Sequence, residues 1–146
     1  MPDNFTIFYA DDDADDLEFF RDVTDTFGDR IHLYTHSHGD QLLTAVRNPP
    51  PVPQLIFLDI NMPGKSGFEV LQELKKSEQY KNIPVVMFST SNSPENVSKS
   101  MQLGANFYVT KPDSIAKLKQ SIEYTLNINW KVFKPTLDEF VYKAIA

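Results

Sequence analysis

Asp11, Asp12 and Asp13 stand in one run, and Asp59 stands in Leu58-Asp59-Ile60-Asn61-Met62-Pro63-Gly64. Ser89 and Thr90 follow a second apolar run, and Lys111 precedes Pro112. Brought together, these residue types could carry phosphoryl chemistry. Carboxylates gathered without a cation repel one another and raise their own pKa values. A hard divalent ion removes that conflict, and Mg²⁺ suits a site with few carboxylates and several retained waters. An aspartate beside the metal can attack phosphorus and form an acyl phosphate. The oxygens of the transferred group then need a metal, an ammonium and a hydroxyl around them. The four segments are far apart in sequence, so only the fold can assemble them.

The pattern repeats about every 25 residues, an apolar run followed by an amphipathic stretch. The runs are Phe5–Ala10, 31–34, Leu55–Leu58, 85–88 and 107–109. Those at 55–58 and 85–88 are continuously apolar, as expected of central parallel strands covered on both faces. The run at 31–34 carries His32 and reads as an edge. Between the runs, Leu17, Phe20 and Phe27 share one helix face, with Gly28 as a stop. Leu42, Leu43 and Val46 give a short helix before Pro49-Pro50-Pro51. Ser66 and Glu69 have capping-box spacing, with Val70, Leu71 and Leu74 turned inward. Ser93-Pro94 opens a helix with Val97 and Met101 inward, and Gly104 ends it. Asp113 is expected to cap a last helix bearing Ile115, Leu118, Ile122 and Leu126. Five such strand–helix units imply an α/β fold with a doubly wound parallel sheet. Ligands in such sheets bind at the carboxyl ends of the strands, where all four segments fall.

The series Asp11-Asp12, then Asp59-x-Asn61-Met62-Pro63-Gly64, then Ser89-Thr90, then Lys111-Pro112 resembles the response-regulator receiver family over about residues 5–127. The resemblance implies a flavodoxin-like strand order 2-1-3-4-5, with Asp59 as phosphoacceptor. It implies Mg²⁺ held by Asp12, Asp59 and the backbone carbonyl of Asn61, with Asp11 acting largely through water. Ser89 takes the switch-hydroxyl position, Lys111 binds the phosphoryl group, and Tyr108 is the aromatic whose rotamer follows the switch. A cis bond between Lys111 and Pro112 is implied as well, open to this pair because the second residue is proline. Ser89 stands where threonine is commoner, keeping the hydroxyl without the methyl that stiffens its rotamer. The expected function is phosphorelay signalling, with a histidine kinase or phosphotransfer protein as donor and a downstream protein as target. The domain would catalyse its own phosphorylation and dephosphorylation without being a turnover enzyme.

Taken singly, each segment has an ordinary reading. Residues 11–16 could be an acidic first helical turn, Asp59 a turn former and Lys111 a solvated lysine. Their joint placement at strand ends favours chemistry. A haloacid-dehalogenase-type phosphohydrolase with Asp11 as nucleophile is the alternative, but it leaves the segment after Asp59 unexplained. A nucleotide- or flavin-binding module lacks a glycine-rich loop after the first strand. Asp11-x-Asp13-x-Asp15 echoes a calcium loop, yet Asp16 stands where that loop needs glycine. His32, His36 and His38 have no acidic or cysteine partner at metal-ligand spacing and read as edge-strand surface.

With 146 residues, 41% of them hydrophobic and 23% charged, the chain has the makings of one globular domain. The absence of cysteine fits a cytoplasmic setting, and no apolar run approaches a membrane span. The Met1-Pro2-Asp3-Asn4 start has no basic leader, and a net charge of −6 argues against general nucleic-acid binding. Residues 1–127 are expected to form the receiver and 128–146 an extension packed on it, too short for an output module. In that extension Thr136 and Glu139 have capping-box spacing, and Leu137, Phe140, Val141, Ala144 and Ile145 fall on one helical face. That face, with Trp130 and Phe133, covers its own domain or serves as a dimer or partner surface.

Overall fold

Strand and helix alternate along the chain as the periodicity predicts. The structure, a computed structural model, describes residues 3–144. In chain order the elements are β1 (Phe5–Ala10), α1 (Ala14–Asp25), β2 (Ile31–His36), α2 (Gly39–Val46), β3 (Leu55–Leu58) and α3 (Gly67–Lys76). They continue with β4 (Val85–Ser89), α4 (Pro94–Gln102), β5 (Phe107–Thr110), α5 (Ile115–Leu126) and α6 (Leu137–Phe140). The five strands form one sheet in the order β2-β1-β3-β4-β5, and every pairing is parallel. β2 lies at the edge with His32 exposed, as its polarity predicts.

Each central strand sends alternate side chains to opposite faces, so one strand feeds two cores. Ile7 and Tyr9 of β1 join Phe20, Val23, Leu118 and Ile122 of α1 and α5. Phe8 and Ala10 join Leu42, Val70, Leu71 and Leu74 of α2 and α3. β3 and β4 are buried along their whole length, which is why their sequences read as unbroken apolar runs.

The helix ends follow local chemistry. Ser66 Oγ accepts from the Glu69 amide and Glu69 Oε1 accepts from the Ser66 amide, closing the capping box ahead of α3. Ser93 accepts from the Asn96 amide ahead of Pro94. The cap of α5 is Ser114, whose Oγ accepts from the Lys117 amide, in place of the expected Asp113. The helix begins one residue later than Asp113 would require, and Asp113 pairs instead with the Lys117 ammonium at 3.1 Å. Lys111–Pro112 is not the cis bond that the resemblance implies. The cis bonds among the described residues are Pro49–Pro50 and Pro50–Pro51. A trans X–Pro bond is the ordinary preference, by about 0.5–1 kcal/mol, and Lys111 reaches the carboxylates from it.

The extension runs along the β5 edge. Trp130 and Phe133 pack on Phe107 on the α1/α5 face, with ring centroids 6.3 and 5.8 Å away. Phe140 is buried on the opposite face, 6.4 Å from the Tyr108 ring. Between them Val141 bridges Tyr108, and the Tyr142 amide donates to the Tyr108 carbonyl at 2.8 Å. Of the helical face read from the sequence, Phe140 is buried while Leu137 is 60% exposed. The helix stops at Phe140 because the next residues take up the extended pairing. Ile145 lies outside the described residues.

Candidate functional site

The register of the sheet brings the acids together. Ala10 pairs with Leu58, so the residues that follow them, Asp11 and Asp59, leave neighbouring strands side by side. The Asp59 amide donates to the Ala10 carbonyl at 3.0 Å, and the Asp11 amide to the His36 carbonyl at 3.0 Å. Ser89 pairs with Thr110 at the other end of the row, and the Lys111 amide donates to the Ser89 carbonyl at 2.8 Å. Strand ends that far apart in sequence converge because parallel strands share one carboxyl edge.

Asp11 and Asp59 are buried and Asp12 is exposed. One carboxylate oxygen from each of the three lies within 4.8 Å of the others. Burial, then the charge of Asp11, pushes the Asp59 carboxyl up to about 7, with Lys111 pulling the other way. This is the mutual repulsion expected of a carboxylate cluster, and an all-oxygen donor set of this kind fits a hard divalent cation. Asn61 lies two residues beyond Asp59, exposed in the loop that leads to α3.

The Lys111 ammonium is nearly enclosed. Its Nζ stands 2.7 Å from Asp11 Oδ2, 2.8 Å from Asp16 Oδ2 and 3.6 Å from Asp59 Oδ1. These carboxylates hold its pKa above the ordinary lysine value although burial opposes them. The fully buried Tyr9 hydroxyl donates to Asp11 Oδ2, and the Asp13 amide donates to Oδ1 at 3.0 Å. Burial and these neighbouring acids hold the Tyr9 phenol well above its usual range, so it remains a donor.

Ser89 is buried, and its Oγ accepts from the Ser91 amide at 3.2 Å. Tyr108 is buried too, its hydroxyl donating to the Ser91 carbonyl, so its ring points inward beneath Phe140. Both residues border one loop, 89–91. The structure therefore gathers Asp11, Asp12, Asp59 and Lys111 tightly, with Ser89 and Tyr108 alongside. Tyr9 and Asp16 belong to the same network, and the sequence alone does not single them out. Tyr9 lies within an apolar strand and reads as core. Asp16 reads as one of several acids in the first turn of α1, and its partner is 95 residues away. Asp11 has both oxygens engaged and no exposure, which does not support it as a phosphohydrolase nucleophile.

The family model described as the response regulator receiver domain matches residues 7–123. Response regulator Rcp1 from Synechocystis is 41% identical over 73 residues, which span half of this chain and half of Rcp1. The chain thus spans about half the length of the curated relatives it first matches. Among solved structures, the phosphorylated cyanobacterial phytochrome response regulator RcpA superposes with a TM-score of 0.78. It is 28% identical, and the match covers 90% of this chain and 97% of RcpA. The Mn²⁺-bound form of Rcp1 has a TM-score of 0.75 at 28% identity, covering 90% of this chain and 99% of that protein. The carboxylate cluster, the strand order and the family match coincide on the same residues, and the chain belongs to the response regulator receiver domain family of two-component systems.

Proposed function

We propose that Asp59 accepts a phosphoryl group from the phosphohistidine of a histidine kinase or phosphotransfer protein, and that the acyl phosphate switches the domain toward a partner protein. The observation that carries this reading is the grouping of Asp59 with Asp11 and Asp12 within 4.8 Å and with Lys111 Nζ at 3.6 Å.

In the forward step an Asp59 carboxylate oxygen attacks phosphorus as the phosphorus–nitrogen bond breaks, and the donor imidazole leaves as its neutral form on taking up a proton. Asp12, Asp59 and the Asn61 carbonyl would hold Mg²⁺, with Asp11 mostly through water; the ion would neutralise charge on the phosphoryl oxygens. Lys111 pairs with one of those oxygens and the Ser89 hydroxyl donates to another. In the reverse direction water attacks the same phosphorus and Asp59 leaves as carboxylate. Ser89 moving toward the phosphoryl group disturbs the 89–91 loop, whose Ser91 carbonyl holds Tyr108, so the signal passes to β5 and the extension. Phe19 and Ile115, exposed beside Lys111 and Asp16, give a donor protein an apolar footing next to the carboxylates.

The test is intact mass after incubation with Mg²⁺ and acetyl phosphate. The wild type should gain one phosphoryl group, Asp59→Asn should gain none, and Asp11→Asn should be labelled at a reduced level. Labelling that persists in Asp59→Asn and vanishes only in Asp11→Asn would overturn the assignment in favour of a phosphohydrolase.

A further inference from the structure

Lys111 faces three carboxylates, and the one it would have to serve is the farthest. Its Nζ is at hydrogen-bond distance from Asp11 and Asp16, whereas 3.6 Å to Asp59 is beyond a direct hydrogen bond. We propose that Asp16 is a positioning residue that tethers the Lys111 ammonium away from Asp59 in the unphosphorylated protein and must release it when the phosphoryl group arrives. This rests on Asp59 being the phosphoacceptor.

The tether is built by the start of α1. Asp13 caps the helix through Oδ1, accepting from the amides of Asp15 and Asp16, which fixes the turn that carries the Asp16 carboxylate. Asp16 Oδ2 accepts from Lys111 Nζ at 2.8 Å, a charge-assisted bond. The two acids that hold Lys111 differ in what happens when it leaves. Asp11 is fully buried, but its Oδ2 keeps the Tyr9 hydroxyl and its Oδ1 keeps the Asp13 amide, so it is not orphaned. Asp16 has no such second donor among the described residues, but its side chain is 30% exposed and returns to water. Release from Asp16 therefore returns a carboxylate to water, whereas Asp11 keeps two neutral donors but gives up a buried counter-ion. Of its two close partners, the lysine leaves Asp16 first, because that carboxylate alone can return to water.

Asp16 also adds a negative charge beside the site of an incoming phosphoryl dianion. Both effects have the same sign. Removing its charge frees Lys111 and lowers the local repulsion, so Asp59 should be phosphorylated faster and the phosphoryl mimic beryllofluoride should bind more tightly.

The experiment measures initial rates of labelling by acetyl phosphate with Mg²⁺, by intact mass, in full-length wild type, Asp16→Asn, Asp16→Glu and Asp15→Asn. Beryllofluoride affinity is measured on the same proteins by titration calorimetry. Asp16→Asn should be faster by roughly three- to tenfold, the span from an exposed ion pair to a charge-assisted one. Its beryllofluoride affinity should rise in step. Asp16→Glu should fall back toward wild type because the charge is restored. Asp15→Asn changes the same charge in the same helical turn without reaching Lys111, and it should leave both readouts unchanged. Wild type labelled on Asp59 together with Asp16→Asn at or below the wild-type rate would overturn the tether and leave the phosphoacceptor reading intact. An Asp15→Asn effect equal to that of Asp16→Asn would overturn it as well, assigning the gain to net charge or the helix dipole. Wild type that takes no label on Asp59 brings down both.

Discussion

Asp59 sits beside two carboxylates and an ammonium 3.6 Å away, too far for a direct hydrogen bond, and the balance falls against its ionised form. Its carboxyl is raised from 3.8 to about 7, chiefly by burial and then by Asp11. In chelator, the folded chain then keeps a proton that the unfolded chain has already lost across roughly pH 4 to 7. Fewer protons bound in the unfolded state means that stability falls as pH rises through that window. Asparagine carries no such penalty. Asp59→Asn should be the more stable protein near pH 7 by roughly 1–4 kcal/mol, at about 1.4 kcal/mol per pKa unit, with the gap closing toward pH 4. Urea denaturation at a series of pH values in chelator checks this, and a gap that stays constant with pH counts against it. Millimolar Mg²⁺ should stabilise the wild type far more than the variant, because the cation relieves the same repulsion.

At the scale of elements, the acids are held by how closely strand, loop and helix approach one another. Gly67 opens α3, and its amide donates to the Ile60 carbonyl at 2.8 Å, folding the helix start back over the end of β3. A Cβ on Gly67 would collide with the Asp59 carbonyl oxygen and stand 2.9 Å from Ile60 Cα. Both are backbone atoms and cannot rotate away. Gly67→Ala should therefore cost about 1–3 kcal/mol or more, the range of overpacking, and slow labelling by acetyl phosphate because the Asp59 backbone must shift. The two are read separately, by urea denaturation and by intact mass. Wild-type values in both would mean that α3 does not set the position of Asp59.

Across the whole molecule, the extension covers the β5 edge of the sheet. β5 would otherwise present an open edge, which natural proteins protect by cover or charge. Here Trp130 and Phe133 cover Phe107 on one face, Phe140 covers Tyr108 on the other, and Val141 bridges the edge between them. A four-residue helix is not stable by itself, so α6 exists because Phe140 is buried. Phe140→Ala should cost about 3–5 kcal/mol, the range for emptying a buried aromatic site. Followed in urea, the fluorescence of Trp130 and the far-ultraviolet circular dichroism should shift to lower denaturant together. If the Trp130 signal moves alone, the extension unfolds independently and the loss is confined to its docking.

The sequence by itself determined the order of elements, the doubly wound parallel sheet and the identity of the central strands, because hydrophobic period and helix caps are local properties of the chain. It also placed Asp11, Asp12, Asp59, Ser89 and Lys111 at strand ends, since a parallel sheet puts all those ends on one edge. The tertiary structure decided which of these groups pair. Lys111 chooses Asp11 and Asp16 over Asp59 by differences of under an ångström between segments 95 residues apart, which no spacing encodes. Tyr9 looks like any core residue until its hydroxyl is seen to end at Asp11. Ser114 takes the cap from Asp113 because packing of α5 sets where the helix starts. The extension's path was open in the sequence for the same reason. An amphipathic segment records that it must be covered, while the surface that covers it belongs to the folded domain.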